Sequence, residues 1–257
     1  MKTKSRIWIY PLISIALLLT SNSCKKNDDN VNATGNAAII FNPNLTYGTM
    51  TDFDGNVYKT ITIGSKGSKS TQTWMAENLK VTHYQNGDPI PYVTDTTWRN
   101  LSIGAYCNYN YASANSTTYG HMYNLFSIID HRNIAPTGWH VASADEWNSM
   151  INFLGGDSIA GGKLKETGTT HWKLPNAGAT NSSGFTAIPG GGGNDHGDFF
   201  ESLGSISIFW SNKVVAGSGS EPEPHGYYFL LSSDTEDVSL GTFGRGMCAA
   251  YIRCIKD

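Results

Sequence analysis

Apolar residues recur at helical spacing in one stretch near the middle of the chain, and this stretch carries its clearest local signal. Trp147, Met150, Ile151 and Leu154 fall at i, i+3, i+4 and i+7. That spacing places all four on one face, so it predicts an amphipathic helix that buries this face in the core.

The same helix is framed by its own start and stop signals. Ser143 is suited to cap the first free N–H groups, and Glu146 stands three residues later, as in a capping box. Asp145 adds a second negative charge at the positive end of the helix dipole. Gly155 and Gly156 follow and are suited to the left-handed conformation that ends a helix.

A second apolar-faced helix is predicted over 119–129, where Met122, Leu125, Phe126 and Ile129 recur at helical spacing. Elsewhere, short apolar or alternating segments predict strands at residues 57–63, 71–75, 105–109, 139–141, 185–189, 205–211, 227–231, 238–240 and 249–255. Many short strands with two main helices in the middle of the chain predict an α+β domain built on antiparallel sheet.

The N-terminus has the pattern of an export signal. Lys2, Lys4 and Arg6 precede an apolar run over 7–20 that is short for a membrane span. The run ends at Ser-Asn-Ser-Cys24, which resembles a bacterial lipobox except that Ser stands where Leu is usual. We therefore predict a lipoprotein signal peptide at 1–23 and lipidation of Cys24, with an ordinary secreted protein as the competing interpretation.

A polar stretch follows Cys24 and predicts a disordered tether over 24–49, before a domain at 50–257. Its Lys-Lys-Asn-Asp-Asp segment resembles the charged run after the lipidated cysteine in surface lipoproteins of the Bacteroidetes type. Removal of 1–23 takes three of the 18 basic residues and none of the 21 acidic ones, which leaves a charge of about −6. This balance argues against a nucleic-acid partner, so the expected partners are a membrane, through the lipid on Cys24, and a glycan or protein ligand.

Several short motifs occur in a fixed order along the domain and together resemble one family. They are Gln72-Thr-Trp-Met-Ala-Glu-Asn-Leu79, Tyr119-Gly-His-Met-Tyr123, Pro136-Thr-Gly-Trp-His140, Asp145-Glu-Trp147, Gly161-Gly-Lys-Leu-Lys165, Gly184-Phe-Thr-Ala-Ile-Pro-Gly190, Phe209-Trp-Ser211 and Ile252-Arg-Cys-Ile255. From about residue 50 to the C-terminus, the chain closely resembles the Fibrobacter succinogenes major paralogous domain family.

The resemblance implies an exported, often lipid-anchored protein with no assigned reaction. It also implies a fold distantly similar to the C-type lectin-like fold and to the formylglycine-generating enzymes. Six residues are expected to serve the core rather than chemistry: Trp139, Trp147, Met150, Phe185, Trp210 and Arg253.

Three cysteines follow Cys24, and their pairing among Cys107, Cys248 and Cys254 stays open. The family usually carries Cys where this chain has Ala135, so the resemblance implies that the usual partner of Cys254 is missing. An oxidoreductase similar to the formylglycine-generating enzymes, with copper held by Cys248 and Cys254, is the alternative function.

No cofactor is required by the motifs. Asn194, Asp195 and Asp198 offer oxygen ligands of the type that calcium takes, so calcium binding is kept open beside a solvated acidic turn. An EF-hand at 52–63 lacks the required glycine and glutamate, and no hydrolase motif stands out.

The resulting hypothesis is a lipid-anchored binding or adhesion module at the outer membrane or cell surface, with no catalytic activity. Aromatic residues in its loops are suited to stack on sugar rings or on a protein partner. The expected contact residues are Tyr84, Tyr92, Trp98, Tyr109 and Tyr111.

Overall fold

The computed structural model describes residues 37–65, 67, 71–193, 200–216, 224–244 and 248–257. The predicted signal peptide at 1–23, with Cys24 after it, lies outside these residues, and so do Asn194, Asp195 and Asp198. Within the described ranges, no helix is both long enough and apolar enough to cross a membrane.

Short strands alternate with short helices along the described chain. The strands are β1 Gly48–Thr51, β2 Val57–Ile63, β3 Gln72–Met75, β4 Tyr106–Cys107, β5 Met122–Tyr123, β6 Trp139–Val141, β7 Gly192–Gly193, β8 Phe200–Glu201, β9 Ile206–Val215, β10 His225–Ser232, β11 Val238–Gly244 and β12 Cys254–Lys256. The helices are α1 Ser113–Tyr119, α2 Leu125–Ile129, α3 Ala144–Phe153 and α4 Asp157–Leu164, with 3-10 turns at Thr96–Asn100 and Tyr109–Tyr111.

The strands form small sheets whose paired neighbours all run antiparallel. A five-stranded sheet has the order β1-β2-β3-β12-β6, and a three-stranded sheet has the order β11-β10-β9. Strands β4 and β5 make a separate pair, as do β7 and β8. The predicted α+β class is confirmed, although the structure has two helices, α1 and α4, in addition to the two that the sequence pattern predicts.

Helix α3 begins and ends as its sequence signals predict. The Ser143 hydroxyl accepts a hydrogen bond from the Glu146 N–H at 3.2 Å, and the Glu146 carboxylate accepts from the Ser143 N–H at 2.8 Å. After the helix, Gly155 and Gly156 have φ angles of 107° and 94°, a region that strongly favours glycine. The helix buries Trp147, as predicted.

The predicted helix over 119–129 is wrong in its first half. Gly120 ends α1 with φ at 78°, and Met122 then pairs in a strand with Cys107. Asn124 caps α2 because its side-chain oxygen accepts from the Ser127 N–H at 3.0 Å. The apolar residues at helical spacing therefore belong to two elements, β5 and α2, because Asn124 between them is a good N-cap residue and starts a new helix.

The predicted strand over 185–189 is also absent from the structure. Thr186 has a positive φ of 54°, which interrupts an extended chain. Asn181 holds this conformation, since its side-chain oxygen accepts from the Thr186 N–H at 3.0 Å. The final predicted strand is shorter than expected, because regular pairing covers only Cys254–Lys256.

Residues 37–49 correct the predicted boundary between tether and domain, because they pack against the domain. The Ile40 N–H donates to the buried Glu166 carboxylate at 2.6 Å, and the Thr118 hydroxyl donates to the Ala37 carbonyl at 3.2 Å. Phe41 and Tyr47 meet edge to face with ring centroids 5.2 Å apart, and both pack against the core. Residues 37–49 are therefore part of the folded domain.

The core is aromatic, and the residues expected to serve it are buried. All six have exposed fractions of 8% or less: Trp139, Trp147, Met150, Phe185, Trp210 and Arg253. The Trp147 ring lies at the centre of the larger cluster, within 5.6 Å of the rings of Trp74, Phe185, Phe209 and Phe229.

The C-terminal residue is held to the start of α3 by one histidine. His140 Nε2 lies 2.8 Å from the Glu146 carboxylate, and its Nδ1 lies 2.7 Å from the Asp257 carboxylate. Burial alone lowers the pKa of His140, but its hydrogen bonds to Asp257 and Glu146 outweigh burial and raise the pKa above its ordinary value. We call this arrangement the His140 clamp.

The His140 clamp predicts that stability falls as pH rises. Because the folded pKa exceeds the unfolded value, the contribution is fully present below about pH 6.5 and is lost as pH passes the folded pKa. The partly exposed groups are screened by water, so we expect a loss of only about 0.5–1 kcal/mol of unfolding free energy. Urea unfolding at pH 5.5 to 8.5 measures it.

A matched histidine variant isolates this contribution. His140→Gln is expected to remove the pH-dependent loss, whereas His131→Gln, at a histidine whose side chain is 93% exposed, is expected to retain it. An unchanged pH slope in His140→Gln would contradict the assignment.

Candidate functional site

A polar cleft lies where the β1–β2 turn meets the segment after β3 and helix α1. Its volume is about 390 Å³. Its lining combines one carboxylate, one ammonium, one imidazole, one amide and three hydroxyls, from Asp54, Asn56, Lys80, Thr82, Ser116, Thr117 and His121. We call it the Asp54 cleft.

The turn that carries Asp54 is held by its neighbour Asp52. The Asp52 carboxylate accepts from the Asn56 N–H at 2.9 Å and from the Asn56 side-chain amide at 2.8 Å. It also accepts from the buried Tyr58 hydroxyl at 2.5 Å. Gly55 completes the turn with φ at 84°. Asp54 therefore sits on a rigid turn, with Asn56 beside it at the cleft wall.

Asp54 is an ionised acceptor. Its carboxylate accepts from the Thr82 N–H at 2.5 Å and from the Thr82 hydroxyl at 3.1 Å, and it lies 2.6 Å from His83 Nδ1. Partial burial favours the neutral acid, but the hydrogen bonds from Thr82 and His83 prevail and lower the pKa of Asp54 below its ordinary value. The cleft thus carries a fixed negative charge at neutral pH.

Lys80 supplies the positive charge of the cleft. Its backbone N–H donates to the Tyr58 hydroxyl at 2.9 Å, which fixes its main chain beside the same turn. Its ammonium lies 3.8 Å from the Glu77 carboxylate and 5.9 Å from the Tyr58 ring centre. At that separation, the pairing with Glu77 leaves ammonium protons that can serve a ligand.

His121 contributes a neutral imidazole. Burial, and then the charge of Lys80, lower the pKa of His121 to about 4, so the ring is uncharged at neutral pH. Its Nδ1 lies 2.6 Å from the side-chain oxygen of Asn108, which only accepts, so we assign the proton to Nδ1. Nε2 is then an acceptor, and it makes no hydrogen bond within the described chain.

An aromatic wall adjoins His121. The Tyr106 ring lies 4.5 Å from the imidazole, and the Tyr92 ring lies 5.2 Å from that of Tyr106. Tyr92 is 44% exposed, yet its hydroxyl is fixed, because it donates to the Tyr111 carbonyl at 3.1 Å and accepts from the Asn108 amide at 3.3 Å. The exposed ring is therefore held in one orientation, two ring contacts away from His121.

The loop aromatics that the sequence pattern proposed for ligand contact divide into two groups. Tyr92 is exposed and Tyr111 is partly exposed. The prediction is wrong for Tyr84, Trp98 and Tyr109, which are buried at 6% exposure or less. These loops fold back on the domain and use their rings as core, so polar neighbours in the sequence are a poor guide to exposure.

The site residues around Asp54 were not predicted, although the EF-hand considered at 52–63 includes Asp54 and Asn56. The Asp52-to-Asn56 stretch stands out as a turn, but its acids separate in the structure, with Asp52 bound to Asn56 and Tyr58 and Asp54 bound to Thr82 and His83. The two carboxylates therefore do not converge on a cation. Across the described ranges, no group of three or more His, Cys, Asp or Glu residues is arranged to hold a metal ion.

Asp54, His83 and Thr82 have the residue types of a catalytic triad but the wrong geometry. The Asp54 carboxylate and the Thr82 hydroxyl both approach His83 Nδ1, at 2.6 and 3.1 Å. A triad needs the acid on one ring nitrogen and the nucleophile on the other, so that the proton can pass through the ring. This arrangement fixes Asp54 rather than activating Thr82.

The cysteines are buried thiols. Cys107, Cys248 and Cys254 form no disulfide with one another, and each is 1% exposed or less. Burial raises the pKa of Cys107 and of Cys254 well above the ordinary value, so both stay protonated at neutral pH. A thiol in this state is a poor metal ligand and a poor nucleophile.

Fold and cleft together define the protein class as an α+β domain with small antiparallel sheets, an aromatic core and a polar surface cleft. The family model described as the Fibrobacter succinogenes major domain matches residues 69–256. The chain belongs to this family, as its motifs indicate. No curated protein and no solved structure matches the chain.

The family match begins inside the structural domain. Strand β2 ends at Ile63, before the match, yet it pairs with β3 within it, through partners such as Ile61 and Trp74. Asp54 and Asn56 precede the match, whereas Lys80, Thr82 and His121 fall inside it. The cleft is therefore assembled from both parts of the chain.

Proposed function

We propose that this protein is a lipid-anchored cell-surface binding module of C-type lectin-like fold that holds a neutral glycan in the Asp54 cleft. The observation that carries the proposal is the cleft itself, which is lined by an anchored carboxylate, a neutral imidazole and an ammonium, with the Tyr106 ring packed against the imidazole. This combination matches the hydroxyl groups and the apolar ring faces of a sugar.

The polar groups suit hydroxyls, which both donate and accept hydrogen bonds. Asp54 and His121 Nε2 offer acceptors, and the Lys80 ammonium offers donors. The charges of the Asp54 carboxylate and the Lys80 ammonium offset each other, so the cleft suits a neutral ligand. Because the turn at Asp52 and the contact with Asn108 hold these groups before binding, little entropy is lost on complex formation.

A binding role also agrees with the chemistry of the surrounding groups. Thr82 is not activated by His83, and the Cys254 thiol is enclosed. The oxidoreductase alternative needs Cys248 and Cys254 in an open groove, and both are buried. We therefore favour recognition without catalysis.

Glycan-array screening of the full chain, followed by calorimetry on the best neutral glycan, tests the proposal. Asp54→Asn is expected to weaken binding about tenfold, the loss of one charge-assisted hydrogen bond of about 1.4 kcal/mol. Thr117→Trp fills the cleft from an exposed helix position and is expected to abolish binding.

Asp145→Asn, at an exposed acid on α3, is the matched control and is expected to bind as the unaltered chain does. An array without neutral-glycan binding, or affinity that survives Thr117→Trp, would overturn the proposal.

The proposed anchor requires export and lipidation at Cys24, and it places the domain at the outer membrane or cell surface. Cells fed labelled palmitate are expected to label the full chain but not a Cys24→Ser variant. Protease added to intact cells is expected to digest the domain. A mature chain that is soluble and unlabelled would overturn the anchor.

A further inference from the structure

We infer that the ligand of the Asp54 cleft is an oligosaccharide, with sugar rings beyond the cleft stacked on Phe53 and on Tyr92. The inference rests on the function proposed above and extends it from one sugar to a chain. Two exposed aromatic rings carry it, and each is joined to a lining residue of the cleft through one intervening side chain.

Phe53 is the first of these rings. It stands next to Asp54 on the turn fixed by Asp52 and is 60% exposed. Its ring centre lies 6.1 Å from that of His83, whose Nδ1 contacts Asp54. A Cβ added at Gly87 would lie 3.3 Å from the ring edge, so the ring lies beside the Gly87 turn.

Tyr92 is the second ring, and it reaches the cleft through Tyr106 and His121. Its hydroxyl is held by Tyr111 and Asn108, so the ring presents a surface that needs no ordering on binding. Tyrosine and phenylalanine combine large contact area with few rotatable bonds, which makes them efficient stacking surfaces.

Neither ring lines the cleft, and each is joined to a different lining residue through one intervening side chain. Phe53 is joined to Asp54 through His83, and Tyr92 is joined to His121 through Tyr106. A single sugar bound by Asp54, Lys80 and His121 fills the polar part and leaves both rings in water. An oligosaccharide fills the cleft and covers the rings as well. The arrangement therefore predicts affinity that rises with chain length.

Calorimetry with monosaccharide to tetrasaccharide members of the best array glycan tests this inference on the full chain. Affinity is expected to rise at least about tenfold from the monosaccharide to the trisaccharide, as expected for burying an aromatic contact. Phe53→Ala is expected to lose about 5- to 10-fold affinity for the trisaccharide and none for the monosaccharide.

Tyr92→Leu is expected to lose a similar factor, whereas Tyr92→Phe keeps the ring and most of the affinity. Phe153→Ala is the matched control, because Phe153 is an exposed phenylalanine on α3 that does not line the cleft. Circular dichroism checks that each variant folds.

The outcomes separate the two proposals. Equal affinity across all lengths, or trisaccharide binding unaffected by both Phe53→Ala and Tyr92→Leu, would overturn the oligosaccharide inference and leave the cleft as a monosaccharide site. The absence of binding at every length would overturn the glycan function itself.

Discussion

Replacing Arg253 by methionine is expected to lower the free energy of unfolding by about 3–5 kcal/mol, which is enough to unfold a marginal domain. Arg253 is completely buried. Its Nε donates to the Asn78 side-chain oxygen at 2.7 Å, and its two terminal nitrogens donate to the carbonyls of Met75, Phe185 and Thr186 at 3.0 to 3.2 Å.

The charge of Arg253 is stabilised by carbonyl dipoles, by ring faces and by the nearby charge of Glu77. Burial lowers the pKa of Arg253 to about 9, which still leaves the guanidinium charged at neutral pH. Its central carbon lies 4.6 Å from the Phe185 ring centre and 5.6 Å from that of Phe209. The planar fork joins β3, the loop at 185–186 and the approach to β12, so it ties together segments that are distant in sequence.

Methionine fills much of the arginine volume but donates no hydrogen bond. The carbonyls of Met75, Phe185 and Thr186 would then be buried without this donor, and each such loss costs about 1–3 kcal/mol. Arg253→Lys keeps the charge but not the fork, so we expect a loss nearly as large. The two variants together separate charge from geometry.

Urea unfolding monitored by tryptophan fluorescence measures the effect of Arg253→Met. Arg132→Met, at a partly exposed arginine beside Asp130 and Asp88, is the matched control and is expected to change stability less. Stability of Arg253→Met within 1 kcal/mol of the unaltered chain, on the scale set by one net hydrogen bond, would contradict this role.

Helix α3 and strand β2 were predicted correctly, because each is determined by residues close to it in the sequence. Helix α3 was predicted because Ser143, Glu146 and the two glycines after Leu154 act on their own neighbours. Strand β2 followed from alternation over 57–63. In each case the residues that decide the structure lie within a few positions of the element itself.

Helix α4 was not predicted, because its glycines are required by contacts with segments that are distant in sequence. Gly161 and Gly162 lie inside the helix, where glycine disfavours helix formation. A Cβ at Gly161 would collide with the Asp237 carbonyl, and one at Gly162 with the Gly178 carbonyl. These glycines allow the helix to dock closely, a reason that appears only in three dimensions.

The candidate site escaped prediction for the same reason. Asp54 and His121 are 67 positions apart. Their roles depend on other distant residues, because Thr82 helps to keep Asp54 ionised and Asn108 fixes the tautomer of His121. Tyr92 and Tyr84 were both predicted to contact a ligand because they lie in loops. Tyr84, however, is buried beneath the Arg132 guanidinium, which lies 4.1 Å from its ring centre. Loop composition does not distinguish the two.

Replacing Trp147 by alanine is expected to destabilise the domain by about 3–5 kcal/mol, the usual range for deleting a large buried aromatic residue. The Trp147 ring stacks on Phe229 at 4.8 Å and meets Trp74 edge to face at 5.0 Å. It also lies 5.5 Å from Phe209 of β9. Alanine would leave a cavity bounded by α3 and both of the larger sheets.

Phenylalanine at position 147 separates packing from hydrogen bonding. The indole N–H of Trp147 is buried and has no hydrogen-bond partner within the described residues. Phenylalanine removes this unsatisfied donor, and that gain offsets part of the packing loss, so we expect Trp147→Phe to lose only about 1–2 kcal/mol. Phe153→Ala, on the exposed side of the same helix, is expected to stay within about 0.5 kcal/mol of the unaltered chain.

Chemical denaturation of the three variants, followed by far-ultraviolet circular dichroism, measures this series. The order expected from most to least destabilised is Trp147→Ala, Trp147→Phe and Phe153→Ala. Equal losses for alanine and phenylalanine at position 147 would show that ring packing is not what this position contributes. A loss in Phe153→Ala as large as that in Trp147→Ala would instead place the stabilising face of α3 on its exposed side.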